Sequence, residues 1–86
     1  MNKILRIDDE HVLVGETEGV VEVIAFEGQA KKRVAGYQID GETQITELIR
    51  LSETEYALCG AHGLYIVEVN PLTYQVSFKD HHLPES

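Results

Sequence analysis

The chain carries nearly the same thirteen-residue pattern twice. Residues 11–23 read HVLVGETEGVVEV and residues 55–67 read EYALCGAHGLYIV. In each, two apolar runs flank a short polar turn that closes on glycine. Aligning Gly19 with Gly63 sets a period of 63 − 19 = 44 residues. At that register residues 4–7, ILRI, fall on residues 48–51, LIRL, and Arg6 falls on Arg50. Val12, Leu13 and Val14 fall on Tyr56, Ala57 and Leu58. Val20 and Val21 fall on Leu64 and Tyr65, and Val23 falls on Val67. Few identities are strict; the apolar pattern and the turns recur. Beyond residue 26 the second copy has a shorter connection, so the register drifts.

Each copy reads as four short strands. In the first they cover residues 4–7, 11–16, 20–26 and 33–39; in the second, residues 45–51, 56–59, 64–69 and 74–79. β-Branched residues crowd these runs and suit a pleated surface. Turn signals separate them: Glu18-Gly19, DGET at 40–43, His62-Gly63, and NPLT at 70–73, where proline presets φ for a turn. EGQAKK at 27–32 reads as a loop and DHHLPES at 80–86 as an irregular tail. Tyr74, Val76 and Phe78 share one strand parity. One segment is ambiguous. Ile45, Leu48, Ile49 and Ser52 are also spaced like a helical face, with Thr43 able to cap it. The repeat decides for a strand. Several runs, such as Val12-Leu13-Val14 and Tyr65-Ile66-Val67, are continuously apolar. That pattern belongs to strands covered on both faces.

A four-stranded antiparallel unit recurring about every 40–50 residues is the sequence pattern of a β-propeller blade. Over nearly its whole length the chain resembles a divergent, WD-repeat-like propeller of two blades, residues 1–43 and 44–86. GETEGVV and GAHGLYI resemble the corner between a blade's second and third strands. The expected fold class is all-β: two four-stranded antiparallel blades of a β-propeller, completed by oligomerisation or by a longer parent chain. Two blades cannot close a ring that typically needs about 4–8. Left alone they would expose roughly several hundred Å² of contiguous apolar surface, more than a soluble monomer usually tolerates. Copies of the chain, a longer parent or a different chain would have to supply the missing sheets. The other reading of the fold is a small closed barrel or sandwich whose repeat is accidental.

Charge narrows the partners. Fifteen acidic residues against seven basic ones give a net charge of −8. Binding nucleic acid without sequence preference needs cations to displace counterions, so that function is excluded, and an anionic membrane surface is disfavoured for the same reason. Lys31-Lys32-Arg33 is the one basic cluster and reads as a solvated strand end. A single cysteine, Cys59, excludes an internal disulfide, suits a reducing compartment and reads as a small core residue. MNKILRIDDE lacks the long apolar stretch of a signal peptide, and no apolar run is long enough to span a bilayer. A cytoplasmic location follows as the expectation.

Candidate chemistry is sparse. Strand alternation places Glu16, Thr17, Glu18, Glu42, Ala61 and His62 on one rim. An acidic rim there suits a basic protein segment; a solvated rim without a ligand is the plain alternative. His11, His62, His81 and His82 lack convergent zinc-ligand spacing. Tyr37, Tyr56, Tyr65 and Tyr74 suit packing between sheets or a sugar site. Small two-blade lectins that trimerise into six-bladed rings are a precedent within the architecture this chain resembles. The carboxylates crowd turns, and no nucleophile–base pair or phosphate-binding glycine loop appears. The expected function is therefore a non-enzymatic protein–protein interaction scaffold without cofactor or metal, whose partner is another protein or copies of itself. The alternative is a self-assembling propeller that binds a small ligand or glycan.

Overall fold

Turn-bounded runs rich in valine and isoleucine bury their side chains best when the backbone pairs as a sheet. The computed structural model describes residues 3–39, 44–61 and 63–83. Eight strands appear: β1 (Lys3–Arg6), β2 (His11–Gly15), β3 (Val20–Glu27), β4 (Ala30–Gln38), β5 (Ile45–Arg50), β6 (Glu55–Gly60), β7 (Gly63–Val69) and β8 (Val76–His82). They form two antiparallel sheets, ordered β1-β2-β3-β4 and β5-β6-β7-β8. The fold is all-β, and among the described residues the one helical element is a single 3-10 turn at Thr17–Gly19. Among the described residues no helix is long and apolar enough to cross a membrane. The ambiguous segment is β5, with Leu48 opposite Leu58 and Ile49 opposite Ala57.

Three local expectations are corrected. Residues 27–32 are not a loop: Phe26 pairs with Lys31 and Glu27 with Ala30, so only Gly28 and Gln29 form the turn. Gly28 takes φ 65°, which lets the hairpin close this tightly. The lysines that suggested a loop lie on an edge strand, where charge guards an unpaired edge. At the other end β8 continues into the supposed tail. His81 pairs with Tyr65 and His82 with Leu64, and the His81 ring stacks on Tyr65 at 4.1 Å. Tyr74, finally, lies outside β8, in the left-handed region at φ 63°.

The repeat exists in three dimensions. Backbone N–H groups of Ile7 and Asp8 donate to the His11 carbonyl, as those of Leu51 and Ser52 donate to Glu55. Asp8 Oδ1 accepts the Glu10 N–H at 2.9 Å, and Ser52 Oγ accepts the Thr54 N–H at 3.3 Å. Arg6 Nε donates to the Asp8 carbonyl and Arg50 Nε to that of Ser52. All these pairs keep the 44-residue period. After the β2–β3 corner the offset falls by one, because Gly15 pairs with Val21 while Cys59 pairs with Leu64, a turn one residue shorter. Val23 therefore corresponds to Ile66 rather than to Val67. A break in strand register confirms the shift, falling between Val23 and Ile24 in one sheet and between Ile66 and Val67 in the other.

Opposite residues of an antiparallel pair share a face of the sheet. Leu5, Leu13, Val23 and Ala35 thus form one row of the first sheet, with Val21 in the next row of the same face. Leu13, Val21 and Val23 are fully buried. In the second sheet the buried face carries Tyr56 opposite Val67, Leu58 opposite Tyr65, and Val69 opposite Val76. These two faces meet in a single core, where each large aliphatic side chain contributes about 1.5–3 kcal/mol by burial. Gly15 admits the neighbouring sheet: a Cβ there would stand 2.9 Å from Ile45 Cγ2 and 3.3 Å from Leu48 Cδ2. Strand β1 lies against β5 and β4 against β8.

The buried faces are not equivalent. Leu13 corresponds to Ala57 and Val23 to Ile66, and both counterparts lie on the far side of the second sheet. The second sheet buries Tyr56 and Leu58, which correspond to Val12 and Val14 on the far side of the first. The two sheets are stacked head to tail, as successive copies of one unit.

Candidate functional site: two open faces and a polar seam

Head-to-tail stacking leaves one unmatched face at each end. On the first sheet it is apolar: Ile4 is 67% exposed and Phe26 39%, with Val12, Val14 and Ile24 half-buried beside them. A shallow depression of about 270 Å³ runs over these five residues, bordered by Lys31, Lys32 and Arg33. The five correspond in order to Leu48, Phe26's counterpart Val69, Tyr56, Leu58 and Val67 when taken as Ile4, Phe26, Val12, Val14 and Ile24. Four of those counterparts are buried between the sheets and Leu48 packs against that core. The same positions are thus apolar in both sheets, covered in one and open in the other. Arg33 pairs with Glu22 across this face.

The open face of the second sheet carries Ile49, 44% exposed, with Cys59, Leu64 and Ile66 half-buried and Ala57 already buried among them. Exposed Glu47, Glu68 and Asp80 edge it. Lys79 pairs with Glu55 and approaches Glu68 to 3.9 Å. Its hydrogen bond holds the Glu55 carboxyl below the ordinary carboxylate range. Cys59 is a half-buried free thiol, so it sits on this face and not in the core where sequence reasoning put it.

Between the sheets, at the β1–β2 corner, lies a polar seam. Tyr74 stacks on His11 at 3.7 Å, with ring planes 10° apart. Its hydroxyl donates to Asp8 Oδ2 at 2.6 Å, while His11 Nδ1 donates to Asp8 Oδ1 at 2.8 Å. Burial alone would raise the Asp8 pKa, but the hydrogen bonds from Tyr74, the Glu10 backbone and His11 outweigh it and hold the carboxyl well below its usual range. The NPLT turn presents Tyr74: Asn70 Oδ1 accepts the N–H groups of Leu72 and Thr73, and the Asn70 carbonyl accepts that of Tyr74. Arg50 crosses the seam, donating from NH1 to the Ile7 carbonyl at 2.9 Å. Its guanidinium also stands 5.5 Å from the centre of the Tyr56 ring. A cleft of about 260 Å³ opens here, lined in part by Asp8, Arg50, Glu53 and Tyr74. Sequence reasoning missed this cluster. Its signals were the repeated arginine and the turn that delivers Tyr74.

Of the expected rim, Glu42 and His62 lie outside the described residues. The Thr17 backbone belongs to the 3-10 turn; Glu18 is exposed at φ 68°. Ile39 N–H donates to the Gly19 carbonyl at 2.8 Å, so the end of β4 lies beside this corner. Ala61 is exposed in the β6–β7 turn. Glu16 turns toward Glu22, and the hydrogen bond they share raises the Glu16 pKa, with burial adding to it. Tyr56 and Tyr65 pack in the core, whereas Tyr74 serves the seam. Among the described residues no three His, Cys, Asp or Glu side chains group as metal ligands.

Comparison with family models, curated proteins and solved structures gives no match to this chain.

Proposed function

We propose that the chain is a two-blade segment of a β-propeller-like stack and works as a non-enzymatic scaffold for protein–protein interaction. The observation that carries this reading is the open row Ile4, Val12, Val14, Ile24 and Phe26, apolar at positions whose counterparts are covered in the second sheet. Exposed apolar surface of this kind marks interaction sites, and stacked repeat units are stabilised by their neighbours. The acidic corner at Glu16 and Glu18 belongs to the same proposal. Glu16 is already crowded by Glu22, so a basic segment docking there relieves repulsion.

A hydrophobic dye tests the reading. A dilute 9.7 kDa monomer with a cooperative melt should bind the dye, and the double substitution V12T/I24T should weaken the signal. If the chain is already assembled, the dye is excluded but the mass exceeds one chain. A cooperatively folded monomer that excludes the dye contradicts the proposal.

The seam favours a second reading, a self-assembling propeller that takes a small polar ligand or glycan. Its cleft sets the Asp8 carboxylate and the Arg50 guanidinium beside Tyr74. Millimolar sugar should then shift the amide signals of residues lining the cleft; unmoved signals remove this reading.

A further inference from the structure

We infer that the occupant of the open first-sheet face is a second copy of this chain, seated by the open face of its second sheet, in the head-to-tail geometry that already joins the two sheets. This inference rests on the scaffold reading and names its partner.

The internal junction provides the template. There, Leu5, Leu13, Gly15, Val21 and Val23 of the first sheet meet Leu48, Tyr56, Leu58, Val67 and Val69 of the second. Moving each row to its counterpart in the other sheet gives Ile49, Ala57, Cys59, Leu64 and Ile66 on one side. On the other side it gives Ile4, Val12, Val14, Ile24 and Phe26. Every member of both transposed rows is apolar or a thiol, and these are the two open faces. A contact between unlike faces of identical chains is heterologous, and it repeats until a ring closes or a filament grows.

Two further details fit the same docking. Within the chain, Arg50 reaches across to the carbonyl of Ile7. Its counterpart Arg6 makes the same local bond, from Nε to the carbonyl two residues on. The counterpart of Ile7 is Leu51, 51% exposed. Across the new junction Arg6 donates to the Leu51 carbonyl of the other copy. Charge agrees as well. Strand β4 lies against β8 inside the chain, so across the junction Lys31 and Arg33 approach Asp80 and Glu68. The basic border of one open face meets the acidic border of the other.

The test is a mixing experiment read by native mass spectrometry and sedimentation. The pair I4E/F26E blocks the first-sheet face, and I49K blocks the second-sheet face. All three residues are already exposed, and melting curves check that both variants fold. The wild-type chain should assemble, and each variant alone should stay at 9.7 kDa, with association weakened more than about tenfold. Mixed in equal amounts, the variants should form a species of twice that mass, because each retains the face that the other lacks. The R6A variant should weaken wild-type assembly while leaving the monomer's melt in place.

A mixture that stays monomeric while the wild type assembles overturns head-to-tail docking. So does either variant dimerising alone, which marks a contact between like faces. A wild-type monomer that binds the dye overturns self-docking but leaves the scaffold reading standing. A wild-type monomer that excludes the dye removes both.

Discussion

Two side chains decide how the seam between the sheets responds to mutation and to pH. Tyr56 is fully buried, and its hydroxyl has no hydrogen-bond partner among the described residues. A buried hydroxyl without a partner pays desolvation without return, so Tyr56→Phe should leave stability unchanged or raise it by up to about 1–3 kcal/mol. Urea titration measures this; a loss of that size would reveal a partner for the hydroxyl. Asp8 behaves in the opposite way. Its pKa is lowered in the folded chain, so its stabilisation is present above the unfolded value near 3.9 and is lost as pH falls through the folded value. Asp8→Asn should therefore destabilise at pH 7, by about 1 kcal/mol given the carboxylate's partial exposure. The difference from wild type should shrink in strong acid. For Glu16 the sign reverses. Its raised pKa means that stability is present below the ordinary carboxylate value and lost as pH rises through the raised one. Glu16→Gln should then gain a few tenths of a kcal/mol at pH 7, roughly the surface range, and nothing at pH 3. Parallel melts at the two pH values check both substitutions.

At the scale of elements, most strands were legible because apolar runs and turn residues marked them. The runs at 11–16 and 20–26 became β2 and β3 almost unchanged. What failed was composition read as conformation. The lysines at 31 and 32 suggested a loop, yet backbone pairing fixes them in an edge strand that charge suits. The histidines at 81 and 82 looked like a tail, yet backbone pairing with Tyr65 and Leu64 carries β8 through them, and the His81 ring stacks on Tyr65. The one-residue difference between the two corners was invisible too, because the glycine alignment absorbed it. The position of Glu16 and Glu18 at a turn was readable from the glycines beside them; the Asp8–His11–Tyr74 cluster was not, because it joins the β1–β2 corner to the turn before β8, 66 residues on. Gly15 tests the packing at this scale. Its hydrogen atom leaves room for Ile45, so Gly15→Ala should cost about 1–3 kcal/mol by overpacking. Removing the Cγ2 methyl with Ile45→Ala relieves that contact, so the double variant should be less destabilised than the sum of the two single losses, and a simple additive loss would mean the two sites are uncoupled.

For the whole molecule, the decisive feature is which faces meet. The proposed propeller, its scaffold role and its docking to a second copy all require unlike faces in contact, so that each end of the stack remains unfilled. An accidental repeat in a closed sandwich would place corresponding faces together and leave nothing to fill. Methyl-resolved NMR separates the two most directly. Cross-peaks should connect the methyls of Leu13, Val21 and Val23 with those of Ile45, Leu58 and Val67, and Gly15 Hα with the Ile45 γ2 methyl, at concentrations where the chain is monomeric. Cross-peaks from Leu13 and Val23 to Leu64 and Ile66 in their place would contradict the head-to-tail arrangement.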